Sequence, residues 1–311
     1  MKKSIIAAAA SALLALACVA GCASGTASNN QSGSDQGQET KTVKVVASFY
    51  PMADYAKKIG GDRVEVVNLV PAGTEPHDWE PSTDDMKTLE SADVFVYNGA
   101  GMEKWVDQVS DTLSNDRLVK VEASQGIQLR AGADEEQGQY DPHVWLSPQN
   151  AKVEMANIRD ALIAADPGGK DVYEKNYETY AAKLDELDQQ YQQRLSAVPN
   201  KNIVVSHQAF GYLCDAYGLN QVAIEGLDAE SEPDAKTMAE IVDFAKDNHV
   251  KVIFGEDLVS PKVAQQIADE SGAQCKVLNP LEGLTDEQLA AGEDYFSVME
   301  KNLDELVEAL S

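Results

Sequence analysis

Cysteine and histidine are scarce in this chain, with four of each, and that scarcity narrows what it can encode. No C-x-x-C pair occurs, so neither a redox dithiol nor a thiolate zinc module is present. Cys214 and Cys275 stand isolated in the body of the chain. In an oxidising compartment they could pair, but two small buried residues is the plainer reading, and metal ligation by them is less expected still. His-Glu-x-x-His, the local ligand pair of many zinc hydrolases, is absent, which argues against an enzyme. Basic residues are also short, 25 against 52 acidic ones. Residues 1–21 hold two lysines and no acid, so their removal takes the formal charge from −27 to −29. A surface that negative disfavours nucleic acid and lipid headgroups, which are themselves anionic. It is compatible with a cation ligand, although acidic composition commonly serves solubility. Beyond the first twenty residues no apolar run approaches the roughly 20 needed to span a bilayer.

The N-terminus reads as a processing signal. Lys2 and Lys3 precede an apolar run from Ile5 to Val19, too short for a spanning helix but adequate for a signal peptide over 1–21. It ends in Val19-Ala20-Gly21-Cys22, which resembles the bacterial lipobox, so Cys22 is the expected lipidation site. Residues 22–42 are mostly Ser, Gly, Asn and Gln; such a stretch buries too little to offset its ordering entropy and reads as a tether. The expectation is a protein anchored to the cell membrane by its N-terminal lipid and held outside the cytoplasm.

From Val43 onward, short apolar runs alternate with helical patterns, the mark of an α/β architecture with mainly parallel sheets. Strands are expected at Val43–Ala47, Val64–Val70, Val94–Tyr97 and Leu118–Val121. Helices are expected at Ala53–Ile59, Asp84–Glu90, Lys104–Leu113 and from Ser147-Pro148 to about Ala164, where the proline suits a first turn. Residues 131–140 are polar and acidic, an expected loop. From Lys170 to Leu195 the apolar and aromatic residues fall at Tyr173, Tyr177, Tyr180, Leu184, Leu187, Tyr191 and Leu195, at steps of three and four with no Gly or Pro between. That is one amphipathic helix, roughly 39 Å long at 1.5 Å per residue. The α/β pattern then restarts and closes with a helix over Asp294–Leu310. The organisation is an N-terminal lobe over 43–167, a linking helix over 168–198 and a C-terminal lobe over 199–311.

Three of the four histidines lie in comparable settings. His77 sits in Glu75-Pro76-His77-Asp78-Trp79-Glu80 after a strand, His143 in Asp141-Pro142-His143-Val144-Trp145 before a helix, and His207 directly after a strand in Val205-Ser206-His207. Open α/β sheets place ligands at the carboxyl ends of their strands. Three neutral imidazoles and one carboxylate would complete a tetrahedral Zn²⁺ site. Spacing alone does not force such distant residues together. The fourth, His249, falls at a helix end, where a cation complements the dipole.

The segments PAGTEPHDWEPS, DPHVWLSP and SHQAFGYL resemble, in order, the three histidine motifs of the metal-binding solute-binding proteins of bacterial ABC transporters, in their zinc-type (ZnuA-like) branch. The resemblance covers essentially the whole chain after the signal peptide. It implies two α/β lobes joined by a rigid backbone helix, with one metal ion in the cleft between them. His77 and His143 would come from the first lobe and His207 from the second. Manganese-type members typically replace the third histidine with Glu and use an Asp from the second lobe, so His207 points to zinc. The fourth ligand is expected at Glu282, with Glu256 or Asp257 as competitors and water as a further alternative. The resemblance also implies a monomer that passes Zn²⁺ to a permease. Manganese or iron transport is the rival reading, with a surface adhesin or an exported zinc hydrolase behind it. Asp141 and Glu80 are candidate acceptors orienting the imidazoles, and Trp79 and Trp145 are expected beneath the loops. The histidine-rich loop of many zinc members has no counterpart in residues 131–140, which puts a gathering role for that loop in doubt.

Overall fold

Valine-rich segments with no alternation of polar residues build central parallel strands, because helices cover both faces of such a sheet. The computed structural model describes residues 42–132, 140–227, 229 and 233–311. The expected signal peptide, Cys22 and the tether as far as Lys41 lie outside the described residues, as do residues 133–139 of the acidic loop. Among the described residues no helix is long and apolar enough to cross a membrane.

The first sheet contains β1 (Val43–Ala47), β2 (Val64–Asn68), β3 (Val94–Tyr97) and β4 (Val119–Glu122), all parallel in the order β2-β1-β3-β4. It is covered by α1 (Tyr50–Gly60), α2 (Thr83–Glu90), α3 (Val106–Ser110) and α4 (Pro148–Ala165). After α5 (Lys170–Ser196) come β5 (Asn202–Val205), α6 (Gly211–Tyr217), β6 (Asn220–Ala223), α7 (Ala235–Asp247), β7 (Val252–Gly255), α8 (Lys262–Ser271) and β8 (Gln274–Val277). Their sheet is also parallel, in the matching order β6-β5-β7-β8. The chain closes with α9 (Asp286–Ala290) and α10 (Tyr295–Leu310). In both sheets the order reverses beside the first strand, so each lobe has a crevice at the carboxyl ends of its strands.

Helix α5 buries Tyr173, Leu184, Leu187, Tyr191 and Leu195 of the expected stripe, while Tyr177 and Tyr180 lie half-buried at its edge. The Tyr191 hydroxyl donates to the Met299 carbonyl (2.6 Å) and Asn176 to that of Ile59 (2.9 Å), which pins α5 to α10 and α1. One apolar core continues from β1 through α4 and α5 to β5 and α10, so the lobes share an interior.

One local expectation changes, and the structure adds two details. Helix α3 is shorter than Lys104–Leu113, because the Glu103 carboxylate turns back to accept the Ser48 hydroxyl (2.6 Å) and the amides of Asn98 and Gly99. Helix α9 buries no residue, so periodicity could not reveal it; the Thr285–Gln288 capping box holds its start. His249 follows α7 in the left-handed conformation (φ 52°) usual for a glycine or asparagine after a helix. Cys214 is buried, Cys275 is half-buried, and both are free thiols.

Glu154 on α4 is fully buried and neither carboxylate oxygen has a hydrogen-bond partner. Burial, and then the charge of Glu103, push its pKa well above the ordinary carboxylate range. A carboxyl raised in the folded state stabilises the fold below its unfolded pKa, and that contribution fades as pH rises toward the folded value. Glu154→Gln keeps the shape and cannot ionise. In metal-free protein the variant should therefore gain on the wild type from about pH 5 upward, by up to about 1.4 kcal/mol per pH unit. Denaturant unfolding at pH 5 and pH 8 checks this; a stability difference that does not grow with pH would refute it.

Candidate metal centre

Acid-Pro-His occurs twice, and the structure shows why that local sequence suits a fixed imidazole. Proline has no N–H and a set φ, which leaves the preceding acid free to fold onto the amide two residues on. In Glu75-Pro76-His77, on the loop after β2, the His77 N–H donates to the Glu75 carboxylate (3.1 Å to each oxygen). In Asp141-Pro142-His143, Asp141 Oδ1 accepts both the His143 N–H (3.1 Å) and its ring Nδ1 (2.8 Å). His207, leaving β5, is held the same way from a distance: Glu256 Oε1, just past β7, faces the His207 N–H (3.2 Å) and its Nδ1 (2.6 Å).

These partners decide the tautomer. With Nδ1–H donated to a carboxylate, His143 and His207 turn the lone pair of Nε2 the other way. All three Nε2 atoms converge on one carboxylate oxygen, Glu282 Oε1, at 3.2 Å from His77, 3.0 Å from His143 and 3.1 Å from His207. His143 Nε2 lies 3.2 Å from that of His77 and from that of His207. A tetrahedron with edges of ~3.1 Å has its centre ~1.9 Å from each corner, against the roughly 2.0–2.1 Å of Zn–N bonds. The donor set, three imidazoles and one carboxylate, is compatible with zinc. His77 is 7% exposed, His143 and His207 0% and Glu282 1%, so the four donors meet away from solvent.

The electrostatics favour a cation. Burial works against charge on His143, yet its hydrogen bonds with Asp141 and Glu282 outweigh that and raise its pKa. Burial likewise opposes charge on His207, and the charges of Glu282 and Glu256 override it to raise the pKa well above the usual value. Burial would raise Glu282, but the charges of His207 and His77 hold it well below the carboxylate range. Burial lifts Glu75 to about 7, with His77 pulling it down and Glu282 pushing it up. The centre thus keeps a carboxylate charged inside the protein and gathers positive charge around it.

Among the described residues this is the one cluster of at least three such side chains with metal-ligand proximity. His77, His143, His207 and Glu282 are brought together; the competitors are not. Glu256 faces the outer nitrogen of His207, and Asp257 accepts from Asn279 (2.9 Å) and Gln288 (2.8 Å). Of the two candidate orienting acids, Asp141 holds His143. Glu80 is exposed and lines a cleft of about 370 Å³ beside His77 together with Trp79 and Trp105, and the acid on His77 is Glu75 instead. The Asp-Pro-His precedent would have indicated Glu75 from sequence. Trp145 is fully buried against the His143 ring (centroids 5.3 Å apart), whereas Trp79 is half-buried against Trp105.

The comparisons with known proteins agree with this geometry. The family model of the periplasmic zinc-uptake complex component A, ZnuA, matches residues 45–309. The high-affinity zinc uptake system protein ZnuA of Bacillus subtilis is 42% identical over 277 residues, which are 86% of this chain and 87% of that protein. The zinc-binding lipoprotein AdcA of Streptococcus pneumoniae is 39% identical over 315 residues, covering 97% of this chain and 60% of its own length. The crystal structure of the Zn(II)-bound ZnuA-like domain of that AdcA superposes with a TM-score of 0.77 at 41% identity, over 86% of this chain and 99% of that domain.

Proposed function

The chain belongs to the ZnuA family of zinc-uptake components, and from that premise we propose that it captures Zn²⁺ outside the cytoplasm and delivers it to an ABC-transporter permease. His77, His143, His207 and Glu282 are the proposed ligands, and the ion is cargo. Cys22 is the proposed lipid attachment site, with the polar segment after it as tether. The protein acts as a monomer without catalytic chemistry, since four protein donors close the coordination shell and leave zinc no site for substrate.

The observation that carries this reading is the convergence of four donor atoms at 3.0–3.2 Å from one another across the measured edges. The nitrogen-rich set favours borderline-soft Zn²⁺ over Mn²⁺, which prefers oxygen. Because two ligands come from each lobe, release requires the lobes' loops to part; the shared core along α5 favours local loop movement over a wide hinge. Metal analysis of protein beginning at residue 42, with competitive titration of Zn²⁺ against Mn²⁺, tests the reading. One equivalent of zinc, preferred over manganese, is expected. Retention of manganese in preference to zinc would transfer the protein to the manganese reading.

A further inference from the structure

We propose that Trp145 is a positioning residue that sets the metal preference of this centre, by clamping the Glu282 loop of the second lobe onto the His143 turn of the first. The inference rests on the zinc-binding reading above and concerns how selectivity is built into it.

Residues 279–284 carry Glu282 with no helix or strand to support them, yet both sides of the loop are anchored. On its own lobe, Asn279 exchanges two hydrogen bonds with Asn302 of α10: Asn279 N–H to Asn302 Oδ1 (3.0 Å) and Asn302 Nδ2 to the Asn279 carbonyl (2.7 Å). The Leu281 N–H closes onto Asn279 Oδ1 (2.7 Å). From the other lobe, the Trp145 indole N–H donates to the Pro280 carbonyl (2.8 Å) and the Gly73 N–H to that of Leu284 (3.0 Å). Trp145 is itself immobilised, its carbonyl accepting the Tyr295 hydroxyl (2.7 Å) and its ring lying edge-on to Phe49.

Between the anchors, fully buried Leu281 is left-handed at φ 60°. A branched side chain holds that conformation only where its surroundings over-determine it. The clamp is that over-determination. Trp145 lies two residues after His143 and Pro280 two before Glu282, so the indole hydrogen bond spans the ligand pair with the shortest measured separation, 3.0 Å.

This arrangement bears on selectivity. The three imidazole nitrogens all meet Oε1 of Glu282, so the carboxylate presents one oxygen to the centre. A larger, oxygen-preferring ion with higher coordination number would need Glu282 to rotate toward two-oxygen ligation, or the loop to retreat and admit water. Backbone fixed on both sides of Glu282 resists retreat of the loop. Loosening the clamp should enlarge the shell and cost zinc more than manganese.

The test uses Trp145→Phe in the chain from residue 42, which keeps an aromatic ring and removes the N–H. Zn²⁺ and Mn²⁺ affinities and the visible absorption of bound Co²⁺, intense when tetrahedral and weak at higher coordination, are compared with wild type. Zinc affinity should fall about tenfold, the low end of the range for groups that orient a ligand from outside the shell. Manganese affinity should hold or rise, and the Co²⁺ bands should weaken. Equal loss for both metals with an unchanged Co²⁺ spectrum would reduce Trp145 to a packing residue and overturn the proposal. If W145F does not fold, Tyr295→Phe, which frees the Trp145 carbonyl by deleting one hydroxyl, is read by the same outcomes. A wild-type protein that takes up no zinc would instead defeat the function reading.

Discussion

His207→Ala should lower zinc affinity by more than the roughly 10–100-fold expected for loss of an orienting partner, while Glu256→Gln should fall within that range. The two substitutions act on opposite nitrogens of one ring. Replacing Glu256 leaves Nε2 in place 3.1 Å from Glu282 Oε1 but removes the anion that fixes Nδ1–H. Replacing His207 removes the donor itself and opens a void between two buried carboxylates, Glu256 and Glu282, that the ring now separates. An unpaired buried charge is costly, so metal-free H207A must first be shown to fold, by circular dichroism and a cooperative melt. Competition against a chromophoric chelator then ranks the three proteins. A folded H207A within tenfold of wild type would remove His207 from the coordination shell.

That ranking depends on a distinction the sequence did not carry. The stripe from Tyr173 to Leu195 announces α5 because burial on one helix face leaves a period of three to four residues. The short apolar runs at Val43–Ala47 and Val94–Tyr97 announce strands in another way, because a strand covered by helices on both faces is apolar along its length. The three histidine loops were legible as loops at strand ends, but their convergence came from the family resemblance, since no rule of spacing joins residue 77 to residue 207. Whether a carboxylate after a strand faces the ion or the back of an imidazole depends on loop conformation. That is why Glu256 stood as a rival to Glu282 when it serves His207 instead. Glu282 reaches the centre through the left-handed turn at Leu281, a conformation no propensity assigns to leucine. Glu75 was within reach of sequence reasoning. It repeats the acid-Pro-His pattern of Asp141, and the shared cause is that a proline between acid and histidine frees the acid to take the histidine amide.

Zinc should raise the thermal midpoint of the protein beginning at residue 42 by roughly 8–16 °C when free zinc is a thousandfold above its dissociation constant. The figure follows from linkage: a ligand bound only by the folded state adds RT ln(1 + [L]/Kd), about 4.1 kcal/mol at that excess. Domains approaching this size gain roughly 2–4 °C per kcal/mol. The stabilisation should be cooperative across both lobes, because the proposed ligands come in pairs, His77 and His143 from the first lobe and His207 and Glu282 from the second. An ion there would cross-link the loops that the Trp145–Pro280 and Gly73–Leu284 hydrogen bonds also bring together. Calorimetry with and without zinc, followed by a chelator, makes the measurement. A single transition that moves up with zinc and returns on chelation is expected, with H207A showing a much smaller shift at the same zinc concentration. Two transitions of which one alone responds would mean that the ion is held by one lobe, and the cleft assignment of the site would fall.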